Sequence, residues 1–171
     1  MHKQLCKDST MARAGLPDYL LAFRTLGDTA TPISHPNGLL SYCGSADPGG
    51  DGIKRSHNIW RSYASPIWMD IRQTRTLNAR DARCPADEKH ICPLQLDTIE
   101  RACVLWSNPG ETVFSPFAGV GSEIVGAVLN GRRGVGIELK ESYYRQAVKN
   151  LADAVTQRSA RQATLFGGVA P

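Results

Sequence analysis

The stretch from Glu111 to Glu138 constrains the fold of this chain more than any other. Glu111-Thr-Val-Phe114 is a short run of strand formers, and Ser115 to Gly121 is a tight turn containing two glycines. Ser122 to Asn130 then reads as an apolar helix with small residues along one side, followed by a second strand, Gly134-Val-Gly-Ile-Glu138. Gly131 stands where a helix C-cap is expected, because glycine enters the left-handed region without a Cβ clash. Strand, helix and strand in so short a span form a crossover unit, which requires the two strands to lie parallel. Ser142 to Val155 adds another helix. The fold class is therefore α/β, with the beginning of a doubly wound, Rossmann-like sheet.

The remainder reads less sharply. Asp18 to Thr25, short and apolar between Pro17 and Gly27, is expected to be a buried strand. Gly27 to His57 is expected to be one long loop around the breaker cluster Asp47-Pro-Gly-Gly-Asp-Gly52. It closes with Lys54, Arg55 and His57, which suit either a phosphate backbone or a solvated charge cluster. Pro66 to Ile71 resembles a second short strand, and Gln73 to Glu88 is polar and irregular. Leu94 to Trp106 carries Leu96, Ile99, Cys103 and Trp106 at helical spacing, and Asn108-Pro109-Gly110 stops it. Ala160 to Pro171 reads as a disordered tail. The expected layout is one domain over 1–156, with a long loop at 27–57 and a flexible segment at 157–171.

Composition excludes several classes. No apolar run approaches the ~20 residues of a membrane helix, and Met1 to Lys7 lacks the apolar stretch of a signal peptide. A cytoplasmic protein is expected. Five cysteines in a scattered, odd set without C-x-x-C point to free thiols. Cys84, His90 and Cys92 are close in sequence but lack paired zinc-ligand spacing, so no metal is expected. A formal charge of +4 and a pI near 8.9 are compatible with a nucleic-acid partner without requiring one.

The turn Phe117-Ala-Gly119-Val-Gly121-Ser122 carries the chemistry. Its glycines let a ligand approach the backbone, and the free N–H groups at the following helix start favour a polar or anionic group. Glu138 follows Gly119 by nineteen residues, at the end of the next strand. An acid about twenty positions on holds ribose hydroxyls in nucleotide-binding folds. Together the two signals point to an adenosine-containing cofactor. The third glycine of a dinucleotide fingerprint would fall at position 124, where the chain has Ile124, and the turn opens on Pro116-Phe117. Both depart from a nicotinamide site.

Ser115-Pro-Phe-Ala-Gly-Val-Gly-Ser122 resembles the Asp-Pro-Phe-x-Gly-x-Gly-Thr/Ser motif of DNA amino-methyltransferases, and Lys89-His-Ile-Cys-Pro-Leu-Gln95 resembles their His-x-x-Pro-x-Gln segment. Their order matches the circularly permuted β-class, with phage-encoded members most similar. Asp18 to Arg24 resembles a late hairpin strand of that catalytic domain, and Gly136 to Tyr144 resembles the ribose-binding strand and next helix. The resemblance implies part of an S-adenosylmethionine-dependent methyltransferase sheet. Phe117, Gly119 and Gly121, with Ser115 and Ser122 in the same turn, would surround the methionine and ribose. Glu138 would accept from the ribose hydroxyls, and His90, Pro93 and Gln95 would border the methionine. Ser115 replaces the family's aspartate, and a hydroxyl does not neutralise the cofactor's ammonium.

The same resemblance points to double-stranded DNA as partner, with adenine N-6 or cytosine N-4 as the methylated atom. The family's Asp/Asn/Ser-Pro-Pro-Tyr/Phe motif, which holds the flipped base, has no counterpart, because the sequence contains no Pro-Pro. No catalytic residue is therefore assigned in this chain. A truncated reading frame, one piece of a split enzyme whose second polypeptide brings the motif, and a non-catalytic DNA- or clamp-associated remnant all fit. Gln162-Ala-Thr-Leu165-Phe166 resembles the peptide with which bacterial proteins dock on the DNA sliding clamp.

Overall fold

The structure, a computed structural model, describes residues 18–78 and 93–166. The chain divides into a small unit, 1–32, and a larger one, 33–171.

In the small unit, residues 18–32 contain no helix or strand. Tyr19, Leu21 and Phe23 are all largely exposed, so the buried strand expected over Asp18–Thr25 is not formed. The described sheet consists of two strands paired with each other. An apolar extended segment with no ladder to join buries neither its backbone nor its side chains.

Among its described residues the larger unit orders six elements: α1 (Gly52–Tyr63), α2 (Leu96–Trp106), β1 (Thr112–Ser115), α3 (Ser122–Leu129), β2 (Arg133–Gly136) and α4 (Glu141–Phe166). β1 and β2 pair in parallel, with Val113 opposite Gly134 and Ser115 opposite Gly136. This is the crossover that the sequence implies, and the α/β class holds. α3 lies on both strands. Gly134 and Gly136 make that contact close: a Cβ on either would come within 2.6 or 2.3 Å of Ile124. α2 packs beside α3, where Leu96, Ile99, Cys103 and Ala127 form a buried cluster with Leu77 and Val113 against it. Trp106, the last apolar position expected on that face, is half exposed.

The expected loop from Gly27 to His57 is shorter, because α1 begins at Gly52. Asp47 accepts from the Gly49 N–H at 2.9 Å and pairs with Arg55 at 2.8 Å, so the breaker cluster is the lead-in to a helix. Lys54, Arg55 and His57 therefore stand on a helix. Its Ile59 and Tyr63, four residues apart, are buried against Cys43, with Leu39, Tyr42, Val104 and Leu105 around them. This second cluster lies on the other side of α2.

No strand forms over Pro66–Ile71. The Asp70 carbonyl accepts from Ser45 N–H at 2.9 Å, and Arg72 N–H donates to the Asp97 carboxylate at 2.9 Å. These backbone groups are satisfied by a loop and a side chain instead of a ladder. α4 continues through Phe166, into the stretch expected to be a disordered tail. Its Gln-Arg-Ser-Ala-Arg-Gln-Ala run contains mostly competent helix formers. Among the described residues no helix is long and apolar enough to cross a membrane.

Candidate cofactor-binding turn

The turn after β1 is built from the backbone outward. Ile137 N–H donates to Ser115 O at 3.0 Å and Ala118 N–H to Ile137 O at 2.9 Å, which extends the parallel pairing into the turn. Gly121 N–H then donates to Ala118 O at 2.7 Å and closes it. Gly119 has φ +54° and Gly121 φ +89°, values that side chains other than glycine rarely adopt.

The two glycines face different surroundings. A Cβ on Gly119 would meet nothing within 4 Å, whereas one on Gly121 would sit 3.2 Å from Ala147 on α4. Gly119 thus borders open space, and Gly121 lets α4 approach the turn. Phe117 is 87% exposed, while Ser115 and Ser122 are buried.

Glu138 reaches this turn. Its Oε2 accepts from Gly119 N–H at 2.7 Å and its Oε1 from Lys140 N–H at 2.8 Å. A carboxylate offers about four acceptor positions, so two bonds orient it and leave capacity for a ligand's hydroxyls. The acid half-way down the next strand–helix connection and the glycine nineteen residues earlier are therefore in direct contact.

Three residues that the sequence did not single out support the turn. Asn150 Nδ2 donates to Val120 O at 2.9 Å, and Gln146, buried on the same helix, donates to Asn150 Oδ1 at 2.9 Å. Tyr143 packs on the buried Val120. An asparagine inside a helix, where its propensity is poor, was the available signal. Glu123, in the first turn of α3, has its carboxyl raised above the usual range by burial.

Pro93 and Gln95 lead into α2, both half-buried. Gln95 is the N-cap residue, and its carbonyl accepts from Thr98 and Ile99 N–H at 3.1 and 3.3 Å. Leu77 packs against both Val120 of the turn and the α2–α3 cluster, which places the start of α2 beside the turn. His90, with Cys84 and Cys92, lies outside the described residues.

On its other side α2 carries a buried polar network that the sequence did not reveal. Asp97 and Arg101 are wholly buried. Asp97 accepts from Arg72 Nη2 at 2.8 Å, Arg75 Nη1 at 2.7 Å and Cys43 Sγ at 3.0 Å. Arg75 also holds Glu100 through two bonds, at 2.6 and 2.9 Å. Arg101 donates to Cys43 O at 2.7 Å and Asp70 Oδ2 at 2.8 Å. Its guanidinium lies 5.5, 5.1 and 5.3 Å from the ring centres of Tyr42, Tyr63 and Trp68. Burial pushes the Cys43 thiol up, and its bond to Asp97 adds to the shift. Cys43, Asp97 and Glu100 bring ligand atoms within 4.8 Å of one another. Two guanidinium groups already neutralise those carboxylates, which suits a structural clamp better than a cation site.

With this geometry in place, the family is decided by comparison. YubD, a protein of Escherichia coli (strain K12) described as a methylase, is 44% identical over 57 residues, covering 33% of this chain and 24% of its own length. Among solved structures, TTHA0409 of Thermus thermophilus is described as a DNA modification methylase, in complex with S-adenosyl-L-methionine. It aligns at 28% identity and a TM-score of 0.43, over 56% of this chain and 32% of its own. M1.HpyAVI aligns at 28% identity and a TM-score of 0.33, over 39% of this chain and 40% of its own. The chain thus spans about a quarter of the curated relative and a third of the first of these structures. The DNA methylase family model (N6_N4_Mtase) matches residues 48–149, well over half of the sequence, and the chain belongs to the DNA methylase family.

Proposed function

We propose that this chain supplies the S-adenosylmethionine-binding portion of a DNA methyltransferase that modifies the exocyclic amino group of adenine or cytosine. The contact of 2.7 Å between Glu138 Oε2 and Gly119 N–H carries the reading. It sets an acceptor for ribose hydroxyls beside a glycine that leaves open space. The residues present fit the cofactor in that respect. Glu138 would hold the ribose and Gly119 would admit the ligand to the backbone. The exposed Phe117 would cover it, and Pro93 and Gln95 would stand at its methionine end. The bound cofactor supplies an electrophilic methyl group. This chain's own part is to bind and orient it, because no Pro-Pro motif is present to hold a base. The β-class order, and a second polypeptide bringing that motif, belong to the same proposal.

Titration calorimetry with S-adenosylhomocysteine tests it. The wild-type chain is expected to bind in a one-to-one complex. Glu138→Ala is expected to weaken binding at least about tenfold, the worth of a hydrogen bond to a charged group. Gly119→Val is expected to abolish it, by strain at φ +54° and by filling the open side. Absence of binding by the wild-type protein would overturn the reading.

A further inference from the structure

We propose that the outward face of α1 binds the sugar–phosphate backbone of duplex DNA. On a helix turning about 100° per residue, Trp60, Ile53, His57, Arg61 and Lys54 occupy one continuous arc of roughly 120°. Each of the five is exposed, whereas Ile59 and Tyr63 on the opposite side are buried. The arc holds two permanent cations and a histidine, and α1 contains no acidic residue. Asp51 precedes the helix as its exposed N-cap residue, and Asp47 is engaged by Arg55. Among the described residues no carboxylate pairs with Lys54 or Arg61. Arg61 makes a long bond of 3.4 Å to Asn58 Oδ1 on its own helix.

Lys54 and Arg61, nearly two turns or ~10.5 Å apart along the helix, present two cations without a carboxylate partner to the anionic sugar–phosphate backbone. The half-exposed Trp60, whose ring lies 6.2 Å from that of His35, offers an edge able to lie along a sugar. The choice of DNA over another polyanion rests on the methyltransferase reading. The location rests on the charge pattern alone. α1 is fastened to the protein through Ile59 and Tyr63, on the side away from this arc, so its outward residues can be changed without disturbing the core.

Fluorescence anisotropy of a short labelled duplex, titrated with the full chain over a series of salt concentrations, tests the proposal. Each lost phosphate contact lowers the slope of log K against log salt by ~0.9. Lys54→Ala/Arg61→Ala is expected to lower it by ~1.8 and to weaken binding about tenfold at low salt. The double variant Lys54→Arg/Arg61→Lys is expected to keep the wild-type slope. Wild-type affinity and slope in the alanine variant, or no duplex binding by the wild type, would overturn the proposal. So would displacement of the duplex by polyglutamate as effective as by unlabelled duplex, which would identify an acidic protein as the partner. The same proteins titrated with S-adenosylhomocysteine separate the two readings. Loss of cofactor binding in the wild type sinks the methyltransferase assignment and leaves the salt series standing.

Discussion

Asp97 illustrates how a single charged residue is kept inside this protein. Burial by itself raises the pKa of a carboxyl group. Here hydrogen bonds from Arg72, Cys43 and Arg75 outweigh it and hold Asp97 well below the usual carboxylate range. Asp70 is held low in the same way by Arg101 and Tyr42, against its own burial. The unfolded chain takes up these protons at higher pH than the folded one. Stability is therefore complete above the ordinary carboxylate pKa of ~3.9 and is lost as the pH falls below it. Asp97→Asn leaves the part-exposed Arg72 without its carboxylate, while Arg75 keeps Glu100. It is expected to cost about 1–3 kcal/mol, the worth of hydrogen bonds to a charged group, in urea denaturation at neutral pH. It is also expected to flatten the fall in stability between about pH 4 and pH 2, both effects read from denaturation midpoints across pH. Nothing in the local sequence marks Asp97 as different from Asp18 or Asp51. Its partners come from positions 43, 72 and 75, and only folding brings them to it.

At the scale of elements, α2 is the centre of the larger unit because it is covered on two sides. Ile99 packs against α3, and a Cβ at Gly126 would come 2.3 Å from Ile99 Cγ2. Gly126→Ala gains helix propensity but has to displace a branched side chain between two packed helices. The overpacking is expected to dominate and to cost about 1–3 kcal/mol, measured as a lower Tm than that of the wild type. The helical spacing of Leu96, Ile99 and Cys103 was legible, since it is a local pattern. The second covered side, carrying Asp97 and Arg101, was not, although Val104 and Leu105 hinted at a helix apolar nearly all round. α1 escaped detection for a related reason. The glycine and proline cluster before it reads as loop, and its apolar residues number too few to impose a period until Cys43 and Tyr42 fold over Ile59 and Tyr63.

For the molecule as a whole, the described sheet is small and has one helix-covered face. Gly134 and Gly136 turn toward α3. Phe114, Val135 and Ile137 are each about half exposed and Leu139 almost wholly so. Adjacent exposed apolar residues of this size favour association. The isolated chain is expected to bind a hydrophobic dye at neutral pH and to sediment faster with rising concentration. Phe114→Ser/Val135→Ser is expected to reduce both effects with only a small fall in Tm, because each side chain is about half exposed and little buried apolar surface is lost. The sequence by itself determined the crossover of β1, α3 and β2 and the pairing of Gly119 with Glu138. Strand periodicity, positive-φ glycines and an acid at a set separation are all local signals. Only the tertiary structure decided that Asp18–Thr25 and Pro66–Ile71 form no strands, that α1 exists, and that Asp97 and Arg101 are buried. A strand needs a partner's hydrogen bonds, and a buried charge needs counter-charges distant in sequence. Neither requirement is written in the segment that carries it.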